Sequence, residues 1–319
     1  MTKILVTGSL GQIGSELTIK LVEIYGRENV IATDIRKPED NPLDVEYRQL
    51  DVSDFDAWED LIKEFKITQV YHLAAMLSAT AAKFPLKGWA LNTNSVIALL
   101  EMAKRNEIEK IFWPSSIAVY GREAVKDKTP QGSRKNPQSL YGIAKVAGEG
   151  FCELYHKEYG VDVRSIRYPG LISWKTRPGG GTTDYAVEIF YDALEKGHYT
   201  SFLSENTELP MMYMDDAIRA TIELMQAPKE NITVRSAYNI EGTSFTPKEI
   251  AEEIKKHLPD FKLDYQIDYR QDIADSWPHS INDEVAHRDW GWKAEYDLKK
   301  MTETMLTNLS KKLNVNLPG

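Results

Sequence analysis

Apolar and polar positions alternate along the first half of the chain in a repeating order of short apolar runs and longer amphipathic stretches. The runs fall at Ile4–Thr7, Val30–Thr33, Tyr47–Leu50, Val70–Leu73, Ile111–Pro114 and Val163–Arg167. Short runs of β-formers with few charges read as strands buried on both faces. Between them, apolar residues recur at helical spacing over Gln12–Tyr25, Phe55–Phe65, Gly88–Arg105 and Leu140–Tyr159. Strand, helix, strand in repeated order predicts an α/β fold with a doubly wound parallel sheet. After Arg167 the pattern loosens. "RPGGGTT" at 177–183 is a glycine-rich connector, and helices are expected over Asp184–Lys196, Asp215–Met225, Pro247–His257 and Leu298–Leu313. Gly197 would end the first of these, and Thr246, Pro247 and Glu249 form a helix-start signature. The expected division is one domain over 1–170 and a smaller C-terminal domain over 171–319, with some segments returning to the first.

Composition narrows the class. The 319 residues are 42% hydrophobic and 27% charged, with a net charge of -9. That balance fits a globular protein and argues against nucleic acid or an anionic membrane as partner. One cysteine, Cys152, excludes an internal disulfide. The first apolar run stops at Gly8, too short for a secretory segment, and no stretch approaches the roughly 20 apolar residues a membrane span needs. The expectation is a cytoplasmic protein with no metal site.

Chemistry enters at "VTGSLGQIGSEL". Gly8, Gly11 and Gly14 lie between an expected strand and an expected helix, where glycines let the backbone approach a pyrophosphate at a helix N-terminus. This Rossmann-type context marks a dinucleotide site, with Gln12 and Ile13 in the same turn. Asp34 ends the second strand, 20 residues after Gly14. A carboxylate there accepts from ribose hydroxyls and repels a 2′-phosphate, so NAD is expected as cofactor, with Ile35 beside it. Arg36 and Lys37 follow and weaken that preference. Asp51 and Val52 close the third strand; Asp51 either reaches the adenine amino group or caps the next helix. Leu73, Ala74 and Ala75 end the fourth strand and leave room for the cofactor. His72, within that run, reads as a core histidine.

"SLYGIAKVAGEG" places Tyr141 and Lys145 one helical turn apart, on one face. Ser115 and Ser116 end the fifth strand, and ligands of open parallel sheets bind outside strand C-termini. A free phenol has a pKa of about 10, too high for a base at neutral pH. A neighbouring ammonium and a cationic nicotinamide would favour the phenolate. Tyr141 could then take a proton from a substrate hydroxyl while a serine holds the oxygen and Lys145 locates the nicotinamide ribose. Which serine does so stays open. Thr182, Thr183 and Asp184 on the glycine-rich connector offer groups for an amino-acid zwitterion, although Asp184 could instead cap the following helix.

Together, Gly8-x-x-Gly11-x-x-Gly14, "HLAA", the paired serines and Tyr141-x-x-x-Lys145 resemble the extended short-chain dehydrogenase/reductase superfamily. The resemblance implies that Asn92 lies beside the active site and that Tyr168 and Leu171 contact the nicotinamide end of the cofactor. "RYPGLISWKTRPGGGTTDYAVEIFYDAL", "LPMMYMDDAIRA" and "DSWPHS" are similar to the short-chain-type NAD-dependent L-threonine 3-dehydrogenases. This implies oxidation of threonine to 2-amino-3-ketobutyrate, a substrate pocket that includes Ser78 and Trp277, and a homodimer formed through Gly88–Arg105 and Leu140–Tyr159. That group often has Ser-Thr where this chain has Ser115–Ser116. The alternatives are a nucleotide-sugar epimerase or dehydratase, with Arg177 and Arg219 as candidate diphosphate cations, and a non-catalytic NAD-sensing protein.

Overall fold

The computed structural model describes residues 2–105 and 108–317. The chain forms two compact units. The first comprises the chain up to Val119, Ser139–Arg167 and Ile218–Tyr238, and the second comprises Tyr120–Gln138, Tyr168–Ala217 and the chain from Asn239.

In the first unit the six expected strands form β1 (Ile4–Thr7), β2 (Val30–Asp34), β3 (Glu46–Gln49), β4 (Gln69–His72), β5 (Lys110–Ser116) and β6 (Val163–Tyr168). The helices are α1 (Gln12–Tyr25), α2 (Phe55–Phe65), α3 (Ser78–Lys83), α4 (Pro85–Lys104) and α5 (Leu140–Tyr159). The sheet has seven strands in the order β3-β2-β1-β4-β5-β6-β10, where β10 is Tyr238–Asn239. β1 pairs in parallel with both β2 and β4, so the order reverses there and opens a crevice beyond the strand ends. β3 departs from the expectation of a buried strand: it lies at the sheet edge and three of its four residues are exposed. α4 begins at Pro85, three residues before the expected start, because proline is accepted at the first helical position.

The small residues of α5 are explained by the sheet beneath them. Ala144 is fully buried, and a Cβ on Gly148 would run into the Trp113 ring. His72 is a neutral core histidine, as expected. Ser95 gives its proton to the Leu91 carbonyl at 2.6 Å, so it accepts from His72 Nε2, and Nδ1 accepts from Thr7 at 2.7 Å. Burial, reinforced by the charge of Lys145, drives the pKa of His72 down to about 3.

The second unit contains β7 (Gly170–Ile172), α6 (Tyr185–Lys196), β8 (His198–Ser201), β9 (Leu209–Tyr213), the first residues of α7 (Met214–Gln226), β11 (Thr243–Phe245), α8 (Pro247–Lys255), β12 (Lys262–Tyr265), α9 (Arg270–Ser276), α10 (Glu284–Trp290) and α11 (Leu298–Leu313). β9 lies between antiparallel β11 and parallel β7, and β12 pairs in parallel with β8. One apolar core, including Phe190, Tyr213, Ile250 and Met305, joins these elements. α6 ends at left-handed Gly197, and Thr246 and Glu249 form the expected capping box on α8. Among the described residues, no helix is long and apolar enough to cross a membrane.

Candidate functional site

A cleft of about 970 Å³ opens at the reversal of strand order in the first unit. Twelve expected cofactor residues line it: Gly8, Gly11, Gln12, Ile13 and Gly14 from the first turn, Asp34 and Ile35 after β2, Asp51 and Val52 after β3, and Leu73, Ala74 and Ala75 after β4. Gly8 has φ +69°, and a Cβ there would lie 2.7 Å from the Ala74 amide nitrogen. On Gly14 a Cβ would strike the backbone of Gly8 and Ser9. The loop therefore packs backbone on backbone, which leaves no room for a side chain at Gly8 or Gly14. Gly11 caps α1 without a side-chain hydrogen bond, and the first turn of α1 holds no acidic residue. Its N–H groups suit a diphosphate.

Asp34 is nearly buried, and hydrogen bonds fix its carboxylate: Leu10 N donates to Oδ2 at 3.1 Å and Arg36 N to Oδ1 at 3.2 Å. The Arg36 side chain lies 3.8 Å from the same carboxylate. A hydroxyl-accepting anion faces the cleft where a ribose would lie, so the residues present fit a dinucleotide. Of the two readings of Asp51, capping is excluded. Asp54 caps α2 through Ala57 N, whereas Asp51 accepts from the amide and hydroxyl of Ser53. The cleft also takes Lys87, Ala90, Leu91 and Asn94, which sequence reasoning missed. Their i, i+3, i+4, i+7 spacing on α4 is the signal that could have found them.

Asn92 does not line the cleft. It is buried, and its amide holds Met76 from both sides, accepting from Met76 N at 2.8 Å and donating to Met76 O at 2.9 Å. Asn92 thereby supports the loop after β4, whose Met76 lines the cleft. Tyr168 is buried at the end of β6 and Leu171 is part of β7, both in the second unit.

At the ends of β5 and α5, Tyr141 is half-buried and Lys145 is buried. Ser139 caps α5 through Gly142 N, which starts the helix at Leu140, one residue before Tyr141. Burial pushes the Tyr141 phenol up to about 12, and a hydrogen bond with Ser116 pulls partly against it. Burial drives Lys145 down to about 7, with Cys152 and Glu149 pulling upward. The Lys145 Nζ donates to the Pro114 carbonyl at 2.6 Å and lies 4.5 Å over Trp113 and 5.4 Å over the Tyr141 ring. In the free protein burial thus raises the phenol and lowers the lysine, whereas the phenolate expected from sequence is that of the site with a cationic nicotinamide beside it. Ser115 also differs from expectation. It is buried and donates to Glu149 Oε1 at 2.6 Å, so its proton is committed within the protein. Ser116 is the serine at the phenol.

Of the remaining expected contacts, Ser78 is exposed at the start of α3. In the second unit Thr182 is buried, Thr183 packs over Gly170, and Trp277 leans on that unit's own core. Asp184 makes no side-chain cap to α6. Its Oδ2 instead accepts from Gly180 N at 2.7 Å and Gly181 N at 2.6 Å, which braces the glycine loop.

Comparison with known proteins agrees with this geometry. The model of the NAD dependent epimerase/dehydratase family matches residues 4–240. An uncharacterized epimerase/dehydratase of Staphylococcus haemolyticus is 48% identical over 315 residues, 98% of this chain and 99% of the relative. The solved GalE-like L-threonine dehydrogenase of Cupriavidus necator, in its holo form, is 52% identical with a TM-score of 0.94, covering 96% of this chain and 99% of that one. The L-threonine dehydrogenase of Clostridium difficile is 48% identical with a TM-score of 0.95, covering 98% of both chains. With a cleft that fits its cofactor and a family match over most of its length, this chain belongs to the NAD-dependent epimerase/dehydratase family.

Proposed function

We propose that the protein oxidises the 3-hydroxyl of L-threonine to 2-amino-3-ketobutyrate, with Tyr141 as general base. The cofactor, when bound, supplies the hydride acceptor. Ser116 holds the substrate oxygen, Tyr141 receives its proton, and Lys145 keeps the phenol in place and stabilises its charge. Ser78, Thr182, Thr183, Asp184 and Trp277 are the proposed substrate contacts. The observation that carries this reading is the match to solved L-threonine dehydrogenases near 50% identity over almost the whole of both chains. The fold alone would not, because a nucleoside-diphosphate-sugar epimerase at 20% identity shares it. The curated relatives' epimerase/dehydratase name keeps sugar nucleotides as the competing substrates.

The test is NADH absorbance from purified protein given NAD and either L-threonine or a panel of UDP- and dTDP-sugars. Threonine-dependent NADH formation is expected. No signal with threonine but turnover of a sugar nucleotide would reverse the assignment.

The homodimer is proposed on α4 and α5, which pack on each other and leave Trp89, Ile143 and Leu154 exposed. A solved relative, 51% identical, is a monomeric L-threonine 3-dehydrogenase, so a monomer is the competing outcome. Light scattering is expected to give twice the 36.3 kDa chain mass, and a monomer at micromolar concentration would exclude the dimer.

A further inference from the structure

Glu149 is fully buried on α5, one turn beyond Lys145 and two beyond Tyr141. Its carboxylate collects donors from two strands. Ser115 Oγ at the end of β5 donates to Oε1 at 2.6 Å. On β6, Arg167 Nε donates to Oε1 and Nη2 to Oε2, each at 2.8 Å, and Arg167 is itself buried. A buried ion pair is a weak source of stability, because desolvation of both charges offsets their attraction. What it does supply is direction. A carboxylate held by a guanidinium is acceptor-only, so the Ser115 proton has one place to point. One residue later on the same strand end is Ser116, the hydroxyl at the Tyr141 phenol.

We propose that Glu149 is a positioning residue for the Ser116–Tyr141–Lys145 site. Through Ser115 it fixes the end of β5, and through its own helix it fixes Tyr141 and Lys145, so hydroxyl and phenol stay in hydrogen-bond register. The inference rests on the threonine-oxidation reading for its kinetic readout, although its structural readout does not.

The test uses the full chain carrying Ser115→Ala, which leaves the Glu149–Arg167 pair intact, and Glu149→Gln alongside it. Ser115→Ala is expected to fold and to melt only a few degrees lower, since Glu149 loses one donor but keeps Arg167, and to keep its NAD affinity and KM for threonine. It should lose about tenfold in kcat, the scale of a fraction of an ångström of misplacement. Its crystal structure should show Ser116 withdrawn from the phenol. Glu149→Gln should lose at least as much, and Ser115→Ala alone decides the matter if that variant does not fold. Wild-type kcat in Ser115→Ala, or a loss shared equally with NAD binding, would overturn the proposal. If the wild type forms no NADH from threonine, the functional reading fails. The crystal structure then still decides: Ser116 unmoved refutes the positioning role and Ser116 displaced supports it.

Discussion

Tyr141→Phe is expected to lower kcat for threonine oxidation by on the order of 10²–10⁴-fold while NAD affinity stays within about twofold. Phenylalanine keeps the ring and loses only the hydroxyl, so the packing around α5 is retained. The size of the loss follows from where the phenol stands. Burial holds it at about 12 in the free protein, so only about one molecule in 10⁵ carries the phenolate at pH 7. Proton transfer therefore depends on the loaded site shifting that balance, and the wild-type rate should climb with pH through the neutral range. Steady-state kinetics with a fluorescence titration of NAD check this. Activity within tenfold of wild type would remove Tyr141 as the base.

Lys145→Met is expected to lower kcat/KM by about 10²–10³-fold at neutral pH and to move the rising limb of the pH profile upward by about one unit or more. In the free protein Lys145 titrates near 7 and Tyr141 near 12, so no ammonium faces a phenolate. The two groups are one turn apart, with the Lys145 Nζ 5.4 Å from the centre of the Tyr141 ring, so a charge on one acts on the other. As Tyr141 ionises, Lys145 gains a partner for its charge and holds its proton to higher pH. Methionine cannot do this, so the phenol of the variant ionises later. The stability prediction has the opposite sign. Burial depresses Lys145 from its ordinary 10.5 to about 7, so between those values the unfolded chain holds more protons than the folded one. Wild-type stability therefore rises with pH through that window, and the buried amine is destabilising below it. The variant should melt no lower than wild type at neutral pH. A limb that does not move would leave Lys145 with a purely positional role.

Local chemistry made much of this legible before any coordinates. The strand-to-helix glycine loop, Asp34 at a strand end and the small residues after β4 state their role within a few residues of sequence, because backbone approach and ribose recognition are short-range demands. The α/β order of the first unit is legible for the same reason, since each element's apolar period is written within its own span. The short strands β7–β9, β11 and β12 are not. Their pairing partners lie up to 64 residues away, as between His198 of β8 and Lys262 of β12, and strands this short carry no period of their own.

The sequence by itself determined which side chains were available to a dinucleotide and to a phenol–lysine pair, because residue type and spacing fix donors, acceptors and helical faces. Only the tertiary structure decided which way each one was committed. Ser115 turns to Glu149 and leaves Ser116 to the phenol, Asn92 holds the loop after β4, Asp51 binds Ser53 while Asp54 caps α2, and Asp184 holds the amides of Gly180 and Gly181 rather than capping α6. The reason is physical: a polar side chain that leaves water takes whichever partner the packed neighbours bring within about 3 Å, and those neighbours come from distant parts of the chain.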